Sequence, residues 1–166
     1  MQRATHTDKL GEPFVLRPVR AGDRDGLGAM YDDFEPKRVA QGIPPADAGQ
    51  RVRWLDSVLG QGHHIVVEVA EAVMGHGMLL PFRSHEAELA NFLHQSIRDR
   101  GIGTALNQAL LDLAREHGIR RVWLSVEPFN RRAIRSYEKV GFRRRPASPW
   151  APEVEMEVIL EETGRS

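Results

Sequence analysis

Arg98-Asp99-Arg100-Gly101-Ile102-Gly103 is the sharpest chemical feature of this 166-residue sequence. It follows a strand-like segment ending at Leu93 and precedes a helix-like one marked by Leu106, Ala109, Leu110 and Leu113. Glycines let the backbone bend tightly and aim successive N–H groups into one space. A helix starting near Gly103 adds unsatisfied N–H groups and the positive end of its dipole. Arg98 and Arg100 add mobile positive charge. Such a corner can hold a pyrophosphate; on local grounds alone it is also a tight strand-to-helix turn. A dinucleotide fingerprint does not fit, because Gly101-x-Gly103-x-x-Leu106 lacks the third small residue. There is no Gly-Lys-Ser/Thr of a nucleoside-triphosphate loop. His63, His64, His76 and His85 form no compact ligand set, so no catalytic metal is expected. With no cysteine, thiolate ligands, disulfides and a cysteine nucleophile are excluded.

Composition bounds what surrounds this corner. Hydrophobic residues make up 41% and charged residues 28%, enough apolar material for a core. Lys+Arg and Asp+Glu are equal at 23 each, which argues against coating nucleic acid by bulk charge. The charge is nevertheless uneven: residues 98–145 hold twelve Lys/Arg against five Asp/Glu, between two acidic flanks. That pattern suits a local anionic ligand, or simply a solvated arginine face. No apolar run approaches the ~20 residues needed to span a bilayer, and residues 1–13 contain no apolar signal region. The expectations are a cytoplasmic protein with a flexible segment over 1–12, one domain over 13–161 and a tail over 162–166.

Periodicity supplies the elements. Residues 13–20 read as a strand. Leu27, Met30, Tyr31 and Phe34 fall at helical spacing after a candidate cap at Asp23. A proline- and glycine-punctuated loop follows, and then a second amphipathic helix marked by Val52, Leu55, Val58 and Leu59. Residues 64–70 and 73–80 read as a hairpin joined at Glu71–Ala72, and 88–93 as a third strand. Next come the helix through Leu113, closed by Gly118, and a strand over 122–126. A helix over 130–140 is capped by Asn130 and ended by Gly141. In the final strand Val154, Met156, Val158 and Leu160 alternate with glutamates. The fold class is mixed α/β, mostly antiparallel, with one parallel β-α-β crossover from 88 to 126.

The stretch from Glu88 to Phe142 resembles the GNAT superfamily of acyl-CoA-dependent N-acyltransferases. Three features carry the resemblance: RxxGxG at Arg98, Gly101 and Gly103; the strand VWLSV followed by Asn130; and NRRAIRSYEKVGF, similar to the family's Asn…Tyr-Glu-Lys-x-Gly-Phe helix ending. The resemblance implies a central sheet whose two parallel strands splay, helices on both faces, and acetyl-CoA as cosubstrate for transfer to a primary amine. It implies that backbone groups around Leu93 hold the pantetheine or polarise the thioester. The amides of Asp99, Arg100, Gly101, Ile102, Gly103 and Thr104, with Arg98, would hold the diphosphate, because fixed backbone donors stabilise charge without reorganising. Tyr137 would be the acid: a thiol has a pKa of about 8.5 and a phenol about 10, and a phenol within hydrogen-bond reach could donate a proton or a strong hydrogen bond to the thiolate as the C–S bond breaks. Read locally, Tyr137 is a core-facing helix aromatic and Asn130 a helix cap; the resemblance adds a cofactor contact for Asn130.

The resemblance leaves the base open. Ser125 stands where some peptide-acetylating members carry a glutamate, and Gln95 where many carry proline. Glu88, His94 and Glu127 lie near the strand ends and read as solvated residues. The acceptor site is expected from the first helix and the loop after it, chiefly Tyr31, Phe34 and Arg38, with Glu35, Lys37 and Gln41 nearby. A small-molecule or peptide amine fits that mixture. Two other readings stand beside the enzyme: a catalytically silent CoA-binding module, and a nucleic-acid-binding domain using Arg131, Arg132, Arg135 and Arg143 to Arg145. The terminal strand offers an edge on which a second copy could pair.

Overall fold

Eight segments extend into strands: Ala4–Thr7 (β1), Pro13–Pro18 (β2), His63–Val69 (β3), Ala72–Pro81 (β4), Glu86–Leu93 (β5), Arg121–Val126 (β6), Arg143–Arg144 (β7) and Val154–Ile159 (β8). Among the described residues four α-helices join them: Arg24–Asp33 (α1), Ala48–Leu59 (α2), Ile102–Glu116 (α3) and Arg131–Lys139 (α4). The computed structural model describes residues 1–161, so the expected tail over 162–166 lies outside the described residues. The strands form one sheet in the order β1-β2-β3-β4-β5-β6-β8-β7. β5 and β6 run parallel, joined by α3 as crossover; the other pairings are antiparallel.

The two-residue period of the strands sorts side chains onto two helical layers. Leu79, Ala87, Leu89, Val122, Leu124 and Met156 pack with Leu106, Leu110 and Leu111 of α3 and Ile134 of α4. On the opposite face Val66, Met78 and Phe92 pack with Leu27, Met30 and Tyr31 of α1 and Leu55 of α2. Helix α3 comes close to the sheet because β4 carries Gly77. A Cβ there would lie 2.8 Å from Leu110 Cδ1 and 2.9 Å from Leu106 Cδ1.

Three details differ from the sequence reading. The segment over 1–12, expected to be flexible, contains β1, paired with β2 from Ala4–Leu16 to Thr7–Pro13. Its residues alternate too weakly in hydropathy to announce a strand. What holds it is the ladder together with the Asp8 carboxylate, which accepts from the N–H groups of Leu10 at 2.8 Å and Glu12 at 2.9 Å. The β3–β4 turn is Ala70–Glu71, one residue earlier than expected, with both residues left-handed (φ 48° and 65°), as the primed two-residue hairpin turn requires. Strand β8, expected to offer an edge, is flanked by β6 and by the short β7. Among the described residues no helix is long and apolar enough to cross a membrane.

Because Gly77 sets how closely α3 approaches the sheet, Gly77→Val forces a branched side chain into Leu106 and Leu110. Urea unfolding is expected to show a loss of about 1–3 kcal/mol.

Candidate active site

Strands β5 and β6 pair for only three residues, Glu86–Arg121, Ala87–Val122 and Glu88–Trp123. Beyond that point each strand follows its other neighbour. β5 stays on β4 as far as Leu93–Gly75, and β6 stays on β8 as far as Val126–Val154. The two strand ends therefore part and open a wedge. The N–H of His94 donates to Met74 O at 2.9 Å, so by the period of the ladder the peptide groups of Asn91 and Leu93 face the wedge rather than β4. The resulting cleft measures about 490 Å³.

At one end of the cleft lies the Arg98–Thr104 corner. Asp99 and Gly101 both take left-handed backbone angles (φ 63° and 81°), alternating with extended or helical neighbours. That alternation turns successive N–H groups toward one point, as in an anion-binding nest. Gly101 is the N-cap of α3 and provides no side-chain acceptor, so the first amides of a 15-residue helix remain free to bind an anion. Gly103 and Thr104 line the cleft, while the Ile102 side chain is fully buried in the core and leaves only its backbone for a ligand.

The arginines of this corner behave differently from one another. Arg98 lines the cleft, donates from Nε to Leu93 O at 3.0 Å and lies 5.0 Å over the Phe34 ring. Burial, and then the nearby Arg132, pull its pKa below the usual guanidinium value. Arg100, expected at the phosphates, turns away: its Nε donates to Asp8 Oδ2 at 2.6 Å. The isolated sequence of the corner could not show this, because Asp8 lies 92 positions earlier. Arg132 pairs with Asp99.

Helix α4 delivers Tyr137 to the cleft. The side chain is 7% exposed and packs at 5.7 Å from the Phe142 ring. Burial pushes its pKa up to about 12, against the opposing pull of a hydrogen bond from Asn91. Asn91 belongs to a polar network along the cleft floor. Its Nδ2 donates to Asn107 Oδ1 at 2.5 Å, Asn107 Nδ2 donates to Ser136 Oγ at 3.1 Å, and Ser136 Oγ lies 3.1 Å from Thr104 Oγ1. Asn130 caps α4, its Oδ1 accepting from Ala133 N at 3.2 Å, and also borders the cleft.

The end of the cleft where an acceptor is expected matches the sequence reading only in part. Phe34 lines it, with Pro36, Val39 and Ala40 from the loop after α1. Arg38 has left-handed backbone geometry and lies outside the lining. Tyr31 corrects the sequence reading most sharply. It is fully buried, and its hydroxyl donates to His76 Nδ1 at 2.7 Å. His76 Nε2 lies 2.9 Å from His64 Nδ1, and His64 Nε2 lies 2.6 Å from Gln61 O. Burial holds both imidazoles neutral, and because Gln61 O can only accept, the hydrogens then run one way, from Tyr31 through His76 and His64 to the backbone. Helical spacing put Tyr31 and Phe34 on one face; it could not tell which one the cleft reaches.

Of the groups near the strand ends, Ser125 and Glu127 line the cleft. His94 is engaged, with Nε2 at 2.8 Å from Asp33 Oδ2 and Nδ1 at 2.7 Å from Ser96 Oγ. Gln95 bridges to α1 by accepting from Glu35 N and donating to Asp33 O. Glu153 lines the acceptor end and accepts from Gln41 Nε2 at 2.7 Å. Glu88 is half-buried, and desolvation, then the charge of Glu153, raise its pKa above the usual carboxylate value. The cleft is thus basic at the α3 end and acidic at the other. Many arginines of the basic stretch are already neutralised elsewhere: Arg121 by Glu86 and Glu157, Arg144 by Glu138, Arg145 by Glu155.

A family model described as acetyltransferase (GNAT) matches residues 28–142. The chain belongs to the GNAT family of acetyltransferases. Among curated relatives it is similar to the L-methionine sulfoximine/L-methionine sulfone acetyltransferase of Pseudomonas aeruginosa. The two are 27% identical over 135 residues, covering 76% of this chain and 78% of the relative. Among solved structures, the GNAT domain of S. lividans PAT superposes with a TM-score of 0.79 at 21% identity, covering 95% of this chain and 97% of that one. A GNAT superfamily phosphinothricin acetyltransferase from Sinorhizobium meliloti, solved in complex with AcCoA, gives 0.74 at 18% identity, covering 95% and 90%. Lys9, Asn91, Asn107, Ser136 and Glu153 are among the cleft residues of this acetyltransferase that sequence reading missed. Asn107 carried a signal: it is a polar residue at a fully buried position beside Leu106 on α3.

The Tyr31–His76–His64 chain makes stability depend on acid. Burial depresses His76 to about 3, and His64 also lies below its ordinary value. The unfolded chain takes up protons below about pH 6.5 that the folded chain refuses, so stability falls as pH drops through that value. His76 alone is expected to cost about 2 kcal/mol between pH 7 and pH 5. Urea midpoints measured at the two pH values check this; equal midpoints would show that the chain is not held neutral.

Proposed function

We propose that this acetyltransferase moves the acetyl group of acetyl-CoA directly onto the primary amine of a small molecule, both substrates being bound at once. The observation that carries the reading is the β5–β6 wedge. Its unpaired peptide groups and the uncapped start of α3 open into the same cleft as the Tyr137 side chain. These groups fit acetyl-CoA: two strand edges for the amide-rich arm, converging amides for the diphosphate, and cationic side chains around them.

Bound acetyl-CoA supplies an activated acyl carbon with a thiolate leaving group. The peptide N–H groups facing the wedge at Asn91 and Leu93 are fixed donors for the acyl oxygen as negative charge grows on it. The amine nitrogen forms the new C–N bond and the C–S bond breaks. Tyr137 hydrogen-bonds to the departing sulfur and passes it the phenolic proton as the C–S bond breaks; CoA leaves as the thiol, and solvent returns a proton to the phenolate. Asn91 donates to the phenol oxygen, which leaves the phenolic hydrogen free to point into the cleft. Glu153, which lines the cleft, attracts an ammonium; Glu88, behind the lining but near enough to feel the Glu153 charge, has the raised pKa that makes it the better acceptor for the proton the ammonium must lose. No acetyl-cysteine can form, since the sequence has no cysteine.

Similarity to the methionine sulfoximine/sulfone acetyltransferase directs the search for the acceptor toward amines of amino-acid size. Release of CoA should be followed across L-methionine sulfoximine, L-methionine sulfone, phosphinothricin, polyamines and an alanine-terminated peptide. Turnover of an amino-acid-sized amine is the expected result; turnover of the peptide alone, or none at all with tight CoA binding, would contradict the reading. With the acceptor in hand, Tyr137→Phe is expected to lower kcat about 100-fold while changing the acetyl-CoA KM little. Equal kinetics for the two proteins would remove Tyr137 from the acid role.

A further inference from the structure

We infer that Lys9, on the hairpin turn between β1 and β2, is a diphosphate ligand of the cofactor site. This rests on the acetyl-CoA reading above and goes beyond it, because Lys9 lies outside residues 28–142 matched by the family and outside the glycine corner itself. The turn is clasped to that corner at two points. The backbone N–H of Lys9 donates to Arg100 O at 3.0 Å. The Asp8 carboxylate, its side chain fully buried, accepts from Arg100 Nε at 2.6 Å while also accepting from the N–H groups of Leu10 and Glu12. Arg100 therefore holds the hairpin in place instead of reaching for phosphate.

That clasp lays the Lys9 stem across Gly101. A Cβ on Gly101 would lie 3.2 Å from Lys9 Cε, 3.4 Å from Cγ and 3.6 Å from Cδ. Lys9 borders the cleft together with Asp99, Gly101 and Gly103. Three nearby arginines are engaged, Arg98 with Leu93 O, Arg100 with Asp8 and Arg132 with Asp99, while Arg135 and Lys139 border the cleft from α4. The Lys9 ammonium has no hydrogen-bond or ion-pair partner among the described residues. A compact point charge on a flexible stem, held over the place where the α3 amides converge, suits an oxygen of a bridging diphosphate. The position over Gly101 favours the diphosphate over the phosphate on the cofactor's ribose.

Lys9 is exposed, so replacing it leaves the Asp8–Arg100 clasp and the core intact. Isothermal titration of the parent, Lys9→Ala and Lys9→Arg with CoA and with 3′-dephospho-CoA tests the assignment. Lys9→Ala is expected to weaken both ligands by about tenfold and to flatten the salt dependence of binding, with Lys9→Arg restoring most of the affinity. Unchanged CoA affinity in Lys9→Ala would overturn the inference. A loss seen with CoA but not with 3′-dephospho-CoA would overturn it too, moving the lysine to the ribose phosphate. A parent protein that binds neither ligand would instead sink the acetyl-CoA reading and the inference with it.

Discussion

Two neighbouring strands cannot stay paired when each is held more firmly by its other partner. β5 keeps its ladder with β4 to its last residue, and β6 keeps its ladder with β8, so the parallel pair between them survives for three residues only. Unpaired peptide groups in a protein interior are costly, and they persist where a ligand can satisfy them. The wedge is thus the place in the sheet where backbone hydrogen bonding is left for something else to complete. Everything functional is arranged around it: the α3 start, the α4 tyrosine and the loop after α1.

Side-chain alternation makes this wedge a slot through the sheet with two distinct faces. Asn91 shares the orientation of Leu89 and meets Asn107 on the α3 side, where Tyr137 and the converging amides also lie. Glu88 shares the orientation of Phe92, on the face where α1 and its loop end. Each face of the slot thus presents its own set of polar groups. Charge follows the same division, with cations around α3 and carboxylates at the acceptor end. Such a division suits an anionic ligand at one end and a cationic one at the other.

Several polar groups that read as candidate ligands turn out to hold the frame. Arg100 clasps the N-terminal hairpin, Tyr31 begins a buried chain of imidazoles, and His94 and Gln95 tie the end of β5 to α1. In each case the deciding partner lies far away in sequence. A buried donor needs an acceptor, and whichever acceptor the fold brings within about 3 Å takes it.

Much of the frame was legible in the residues because its causes are local. Alternation in Val154–Ile159, helical spacing in α3, the cap at Asn130 and the closing Gly118 depend on neighbours within a few positions. The Arg98–Thr104 corner and the SYEKVGF ending were legible for the same reason. They are short strings whose backbone geometry follows from their own glycines and cap. β1 was missed because Ala4–Thr7 carries no hydrophobic alternation and is a strand only through its pairing with β2. Asn91, Lys9 and Glu153 were missed because their roles come from the faces they share with distant segments. The sequence by itself determined most of the elements, the phosphate-type corner and the helix that bears Tyr137. Only the tertiary structure decided where the strands part, which cations stay free and which aromatic borders the cleft, since hydrogen bonds and burial are assigned by distances in space that no spacing along the chain contains.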